Sequence, residues 1–247
     1  MIPKKIHYCW FGRNPLPESA QRCIASWRKY LPDYEIIEWN EDNFDVDSIP
    51  YTAQAYQAKK YAFVSDYARF KILYEHGGIY FDTDVEVIRP MDDIIAHGPF
   101  MGFEIDPCPA RPHGAVNPGL GIGAEKGMPV YLEILKYYAG LSFINADGSY
   151  NTTDAVVNIT TRELVRAGMK NTVGTQNIAG ITIYPADYFN PFDDATGRLD
   201  KTKNTRTIHW YSKTWMTVSP MRQFVSRLVH RLVGVDTFAR LRKPFHK

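Results

Sequence analysis

The chain has 247 residues, enough for one sizeable domain with a complete hydrophobic core. Hydrophobic residues make up 45% and aromatic residues 14% of it, and this composition excludes an intrinsically disordered protein. The formal net charge is +2, so no overall positive field attracts nucleic acid, and we expect no nucleic-acid partner.

The first part of the chain alternates between short apolar runs and helical periodicities. Apolar runs at residues 5–11 and 34–39 predict two strands. Apolar residues at helical spacing predict helices over residues 19–30 and 52–60. This alternation predicts an α/β domain with a central mixed, mostly parallel sheet that is flanked by helices.

A longer helix is predicted next, because four aromatic residues recur on one narrow stripe: Phe63, Tyr67, Phe70 and Tyr74. Asp66 and Arg69 are three residues apart and therefore share one flank of this helix. Gly77 and Gly78 follow, and glycines of this kind end helices at low conformational cost.

A pair of carboxylates follows the helix. The β-prone residues 79–81 stop at Asp82-Thr83-Asp84. Residues two apart in an extended segment point the same way, so Asp82 and Asp84 present their carboxylates together. Two like charges at short range favour a bound cation, and Mg²⁺ and Mn²⁺ prefer oxygen ligands. Such pairs also occur on surfaces that bind no metal, so the pair alone leaves both possibilities open.

The remaining elements are less diagnostic of function. We predict a helical turn at 91–95, a strand at 100–103, a proline-rich loop at 106–118, helices at 128–138 and 153–167, a strand at 181–184 and a polar loop at 188–200. The glycine-rich residues 117–124 lack a GxGxxG frame, so they do not predict a dinucleotide-binding loop.

The composite motif resembles a known family. The block Ser65, Asp66, Arg69, Leu73, Gly77, Gly78, Tyr80, Asp82 and Asp84 resembles the DXD-containing sugar-binding region of the family 32 glycosyltransferases. The opening IPKKIHYCWFG resembles the first strand of that family. The family includes initiating α-mannosyltransferases and bacterial capsule and exopolysaccharide enzymes, and the clostridial glucosylating toxins are more distant relatives.

The resemblance implies a GT-A fold, which is Rossmann-like and binds a nucleotide, and a retaining, metal-dependent transfer of a hexose. We expect UDP-galactose or UDP-glucose as the donor, with GDP-mannose as the alternative. The expected acceptor is a saccharide, carried on a lipid in capsule, exopolysaccharide or O-antigen synthesis. The sequence shows no evident nucleophile, so front-side and double displacement are both open.

The resemblance also implies roles for single residues. Trp10 would stack on the nucleotide base, although it also fits a place in the core. Asp66 and Arg69 would contact ribose and sugar hydroxyls; otherwise they form an exposed ion pair of little consequence. Asp82 and Asp84 would hold Mn²⁺ or Mg²⁺ at the donor diphosphate. Asp82, Asp84 and Arg69 are therefore the expected catalytic residues.

Residues 207–215 resemble the segment that closes over the donor diphosphate in related retaining transferases. His209 would be a third metal ligand and Ser212 a further oxygen ligand. Lys213 would neutralise diphosphate charge, and Trp215, whose spacing differs from that of the toxins, would complete the cofactor-binding set. The alternative is an aromatic strand in which His209 is simply packed. His7 has no partner set of this kind and is expected in the core.

We expect a catalytic domain at residues 1–219 and a basic amphipathic helical tail at residues 220–247. The tail carries seven arginines and lysines against Asp236 alone, a pattern typical of helices that lie on anionic membranes. Docking of the tail on the domain is the alternative. No signal peptide or membrane-spanning run is evident, and the three cysteines show no CxxC spacing. We therefore expect a cytoplasmic protein, peripheral on the inner face of the cell membrane.

Two other classes of function remain open at this point. The run IYFDTDVEV resembles the first motif of haloacid-dehalogenase-type phosphatases, in which the first aspartate is a nucleophile. Glu86 stands where that motif has threonine or valine, which disfavours this class. The second alternative is a non-catalytic module that binds a sugar nucleotide or a glycan.

Overall fold

A computed structural model describes residues 1–212 of the chain. Its helices are α1 (Glu18–Tyr30), α2 (Pro50–Gln57), α3 (Tyr61–His76), α4 (Asp92–Ala96), α5 (Pro129–Ala139), α6 (Val156–Arg166) and α7 (Ala186–Phe189). Its strands are β1 (Lys5–Cys9), β2 (Glu35–Trp39), β3 (Gly78–Tyr80), β4 (Val85–Val87), β5 (Phe100–Ile105), β6 (Ala115–Val116), β7 (Ile122–Ala124), β8 (Gln176–Ile178), β9 (Ile181–Tyr184), β10 (Phe192–Asp193), β11 (Arg198–Leu199) and β12 (Thr207–His209).

The main sheet has the strand order β2-β1-β3-β7-β5-β9-β8, and β6 pairs with β5 outside this path. β1 runs parallel to β2 and β3, and β5 runs parallel to β9. β7 runs antiparallel to both of its neighbours, β3 and β5. Five strands (β1, β2, β3, β5 and β9) therefore point one way, and β6, β7 and β8 point the other way. The predicted mixed, mostly parallel sheet is confirmed.

Helices cover both faces of this sheet, because its strands are apolar on both sides. On β3 and just beyond it, Ile79 and Phe81 face a core with Trp27 of α1, and Tyr80 faces a second core with Phe70 of α3. This alternation is the two-residue period of an extended chain. Two hydrophobic cores thus hold the strand that delivers Asp82 to the sheet edge.

One central strand was not predicted. The glycine-rich residues 117–124 contain β7, which lies between β3 and β5. A Cβ at Gly123 would lie 2.3 Å from the Phe100 ring, so this position requires glycine. A three-residue strand of Ile, Gly and Ala inside a glycine-rich run is too short to give a periodic signal, and the strand was therefore missed.

No helix within residues 1–212 has the length and apolar character needed to cross a bilayer. Cys9, Cys23 and Cys108 are all free thiols; the first two are buried and Cys108 is exposed.

His7 is a core residue, as the sequence predicted. Its side chain is fully buried, and each of its two ring nitrogens has a hydrogen-bond partner. The Trp39 indole N–H donates to Nδ1 at 3.0 Å, and Nε2 lies 3.0 Å from the Gly77 carbonyl oxygen. Since Nδ1 accepts a hydrogen bond, the ring is neutral with its proton on Nε2. Burial lowers the pKa of His7 to about 4, against the opposing effect of the Gly77 carbonyl.

This environment predicts a loss of stability in mild acid. The unfolded chain takes up a proton on His7 as the pH falls below about 6.5, whereas the folded chain does so only near the lowered pKa. We expect the free energy of unfolding to drop by about 2 kcal/mol between pH 7 and pH 5 because of this residue. Urea titrations should show that His7→Gln flattens this pH dependence, while the exposed control His113→Gln leaves it unchanged. An equal slope in all three proteins would contradict the assignment.

Candidate active site

The predicted carboxylate pair lies in the turn between β3 and β4, so the prediction that it lies on an extended segment is wrong. The Val85 N–H donates to the Asp82 carbonyl at 3.0 Å and closes this turn. β12 pairs antiparallel with β4 so that His209 stands opposite Val85, and the Trp210 N–H donates to the Asp84 carbonyl at 3.0 Å. Strand pairing thus brings a residue from the end of the described chain to the carboxylate pair.

The structure brings the three predicted metal ligands together. Potential ligand atoms of Asp82, Asp84 and His209 all lie within 4.8 Å of one another. Two carboxylates and one imidazole form a donor set that suits Mn²⁺ or Mg²⁺. The Nδ1 atom of His209 is buried and has no hydrogen-bond partner within residues 1–212. These residues therefore fit a divalent cation.

Asp84 is the most strongly held of these ligands. His209 Nε2 lies 3.0 Å from Asp84 Oδ1, and the Ser212 N–H and hydroxyl donate to Oδ2 at 2.8 and 3.0 Å. Burial alone would raise the pKa of Asp84, but His209 and the Ser212 hydrogen bonds outweigh it and hold the pKa well below the usual range. Burial likewise opposes the protonation of His209, yet the Asp84 charge raises the His209 pKa. Asp84 is therefore an anion at every pH of interest.

Asp82 is fixed by a buried cation. Two guanidinium nitrogens of Arg69 reach its two oxygens, at 3.2 and 3.4 Å, and the Tyr80 hydroxyl donates to it at 3.0 Å. Arg69 also lies 2.8 Å from an Asp66 oxygen and donates through Nε to the Ser65 carbonyl. Its side chain is only 4% exposed.

The alternative that Asp66 and Arg69 form an exposed ion pair is therefore wrong. Asp66 is 13% exposed, and burial raises its pKa to about 7, with Arg69 acting in the opposite direction. α3 supplies both residues from one flank, three positions apart, as the helical spacing predicted. The structure places the pair beside Asp82, and a contact with the donor sugar stays a prediction.

Sequence reasoning missed a second side of the site, formed by the glycine-rich segment. A Cβ at Gly119 would lie 2.2 Å from an Asp82 carboxylate oxygen, so only glycine fits against that carboxylate. The Gly119 N–H donates to the Asn117 side chain at 2.7 Å, and the Asn117 amide lies 3.4 Å from a Glu104 oxygen. The Asn-Pro-Gly sequence was the available signal, because a close approach of the backbone often requires glycine.

A hydrogen bond between the side chains of Glu104 and Tyr211 spans the site. The Tyr211 hydroxyl lies 3.1 Å from a Glu104 oxygen and 3.1 Å from the Asn190 side-chain oxygen. Its ring is 4.1 Å from the His209 ring, and its backbone has a positive φ of 48°. Few residues other than glycine adopt this conformation, so the backbone at Tyr211 is strained and its side-chain hydrogen bonds help to hold it. These hydrogen bonds keep His209 and Ser212 against Asp84.

The other residues predicted to bind the donor are only partly covered by the structure. Trp10 directly follows β1, is half-buried, and donates its indole N–H to the Asn14 carbonyl at 2.6 Å. One of its faces packs on the core that contains Trp27, so part of the core alternative holds. Ser212 reaches the site, as described. Lys213, Trp215 and residues 220–247 lie outside the described residues, as does the boundary at residue 219.

The sequence was compared with models of known protein families. Residues 17–101 match the model for "Glycosyltransferase sugar-binding region containing DXD motif". This part of the chain is similar to that family. The match includes α3, with Asp66 and Arg69, and the Asp82–Asp84 pair, and it confirms the predicted resemblance to DXD glycosyltransferases.

Similar proteins agree with this assignment. Inositol phosphoceramide mannosyltransferase 3 of Schizosaccharomyces pombe is 29% identical over 146 residues, which cover 58% of this chain and 38% of that protein. The Legionella pneumophila protein "Subversion of eukaryotic traffic protein A" is 30% identical over 134 residues, 43% of this chain and 20% of that protein. The chain thus spans well under half the length of these relatives.

The fold has a counterpart among solved structures. The PaToxG glycosyltransferase superimposes with a TM-score of 0.52 and 20% identity, over 67% of this chain and 69% of that one. This similarity confirms the predicted GT-A fold.

Proposed function

We propose that the protein is a metal-dependent, retaining glycosyltransferase that moves a hexose from a nucleotide sugar to a saccharide acceptor. The cluster of Asp82, Asp84 and His209 is the main support for this proposal, because its two carboxylates lie within the region that matches the DXD family and its residues have the ligand types of a divalent-cation site. Asp82, Asp84 and His209 would hold Mn²⁺ or Mg²⁺. The ion, when bound, supplies Lewis-acid stabilisation of the charge on the departing nucleotide.

The chain's own residues pre-organise this site. Arg69 and Tyr80 fix the Asp82 carboxylate, and Ser212 fixes that of Asp84. Fixed ligands need no reorganisation when the donor arrives, and this lowers the barrier relative to mobile groups in water. Asp66 and Arg69, beside Asp82, are proposed to bind ribose and sugar hydroxyls.

The proposed donor is UDP-galactose or UDP-glucose. GDP-mannose is a second candidate, supported by relatives that are named mannosyltransferases. A panel of these nucleotide sugars, incubated with the protein and Mn²⁺ but without acceptor, should release nucleotide from one donor above all others. Chelation of the metal should stop this release. Binding without release would indicate a non-catalytic module, and release that survives chelation would contradict a metal-dependent mechanism.

Trp10 is proposed to stack on the base of the donor. Trp10→Ala should weaken UDP binding by about 1–3 kcal/mol, the range for aromatic–base stacking. Calorimetry with UDP and Mn²⁺ measures this loss, and Trp10→Phe should recover most of it. An unchanged UDP affinity together with a lower melting temperature would leave only the packing role of Trp10 in the core.

The proposed acceptor is carried on a lipid, and the tail at residues 220–247 is proposed to bind the inner face of the cell membrane. The names of three relatives refer to inositol phosphoceramide, which is a lipid. Seven basic residues would each add about 1 kcal/mol near an anionic surface. Removal of residues 221–247 should abolish salt-sensitive sedimentation with anionic vesicles while donor hydrolysis continues. Equal sedimentation of the full-length and shortened chains at low salt would contradict it.

A further inference from the structure

An open groove lies between the loop that precedes β6 and the exposed side of α6. Its volume is about 310 Å³. Its walls include Arg111, His113 and Ala115 from the loop and β6, and Thr161 and Arg162 from α6. The groove is separate from the metal cluster, and none of its residues takes part in the site described above.

The groove has no acidic side chain in its lining. Donor-bearing side chains (Arg111, His113, Asn158, Thr161 and Arg162) line it together with the apolar Ala115 and Val165. Arg111 is exposed and forms no ion pair within residues 1–212. Thr161 Oγ1 accepts the Val116 N–H at 2.9 Å, so its own hydroxyl hydrogen is available to donate. His113 adds an imidazole donor.

Arg162 is held rigidly in the wall. Its guanidinium stacks 3.8 Å from the centre of the Tyr137 ring, and its Nε donates to Glu163 at 3.1 Å. The same Glu163 oxygen also pairs with Arg166 at 2.8 Å, and Glu163 itself is buried. The single negative charge of Glu163 is thus shared by two arginines, so the wall of the groove carries a net positive charge. A pre-positioned guanidinium loses little entropy when it binds an anion.

The groove adjoins the metal cluster along the chain. Ala115 lines it, and Asn117 and Gly119 follow within four residues, where Gly119 touches the Asp82 carboxylate. Four residues span at most about 14 Å. The groove wall at Ala115 therefore lies within about 14 Å of the glycine that packs against Asp82, a separation that one saccharide substrate can span.

We propose that this groove binds a phosphate group on the acceptor, so that the acceptor is a phosphorylated saccharide or glycolipid. This inference rests on the proposed function, because it assigns the donor diphosphate to the metal cluster and leaves the groove to the second substrate. Guanidinium groups recognise phosphate through their N–H donors. Arg111 offers an exposed guanidinium, and Arg162 adds the donors that Glu163 and the burial of its Nη2 atom leave free, beside the Thr161 hydroxyl and the His113 imidazole.

The test separates this site from the donor site. UDP and Mn²⁺ are kept saturating, and the full chain is titrated with glucose 6-phosphate, with glucose as the uncharged control. The variant is Arg111→Gln with His113→Gln, and the matched control is Arg28→Gln, an exposed arginine on α1. We expect saturable binding of glucose 6-phosphate but not glucose, and a loss of about tenfold in the variant only. Hydrolysis of the donor should be the same in all three proteins.

A second experiment, with lipid vesicles, shows whether the bound phosphate belongs to a soluble sugar or to a lipid headgroup. Vesicles with phosphatidylinositol are compared with vesicles of phosphatidylcholine, and the variant keeps the same tail as the wild type. A loss confined to the sugar phosphate indicates a soluble acceptor, and a loss with phosphatidylinositol vesicles indicates a lipid headgroup. Equal binding by variant and wild type, or no binding of either probe by the wild type, overturns the proposal. Absence of donor hydrolysis would instead refute the proposed function, whatever the groove binds.

Discussion

Asp84→Ala is expected to abolish metal-dependent nucleotide binding and to lower turnover about a thousandfold or more, since it removes a primary oxygen ligand and a fixed charge at the reacting diphosphate. The Asp84 carboxylate is held by two hydrogen bonds from Ser212 and by a contact with His209. Its low pKa means that it arrives as an anion and needs no deprotonation to bind a cation. No other described carboxylate lies in the same cluster besides Asp82.

Calorimetry of UDP binding, with and without Mn²⁺, measures the expected loss. Glu86→Gln is the matched control, because Glu86 lies two residues further along the same run and binds Trp210 instead of joining the cluster. This control should keep the Mn²⁺ dependence and most of the turnover. If Asp84→Ala binds UDP with unchanged affinity in the presence of Mn²⁺, the metal site is elsewhere. Thermal melting excludes simple unfolding as the cause of a loss.

The parts of the site that could be predicted are those encoded by local spacing. Asp66 and Arg69 share a helix flank, so helical spacing alone places that pair. The sequence predicted that Asp82 and Asp84 would also lie close together, but the structure brings them together through the turn between β3 and β4 and not through the period of an extended segment. His209 is different: no local pattern connects it to Asp84, and only the family resemblance suggested it. The structure supplies the physical reason, which is the antiparallel pairing of β12 with β4.

The parts that could not be predicted depend on contacts between distant segments. Glu104 and Tyr211 meet across 107 positions of the chain, and neither has an unusual neighbourhood in the sequence. Asn117 and Gly119 lie in a stretch whose glycines were tested only against a dinucleotide-binding frame. That frame concerns phosphates at a helix N-terminus, whereas Gly119 is needed because a carboxylate packs against its Cα.

Burial was the other property that the sequence did not reveal. An aspartate and an arginine three positions apart are usually a solvated pair of little energetic value. Here, Arg69 is enclosed by the cores around α3 and β3 and faces two carboxylates, so the same residue types have a different role. Helical periodicity predicts which flank a residue occupies, and the packing of the sheet decides whether that flank is covered.

Arg69→Met is therefore expected to lower the free energy of unfolding by about 3–5 kcal/mol, because it leaves buried carboxylates without their cation. The exposed control Arg22→Met, which breaks an i,i+4 pair with Glu18, should change stability by less than about 0.5 kcal/mol. Urea unfolding at neutral pH compares the two. A loss below about 1 kcal/mol for Arg69→Met would contradict a structural role of the buried charge.

The pH dependence of the Arg69→Met protein then identifies which carboxylate is responsible. The folded-state pKa of Asp66 is already raised by burial to about 7, and Arg69 is the group that opposes this rise. Without Arg69 the folded protein holds the Asp66 proton more tightly than the unfolded chain does, so its stability should fall as the pH rises from 5 to 8. Asp66→Asn in the Arg69→Met background should remove this slope and restore part of the stability. It should not restore turnover, because Asp82 would still lack the guanidinium that fixes it beside the metal site. Recovery of turnover together with stability would show that Arg69 acts only through folding.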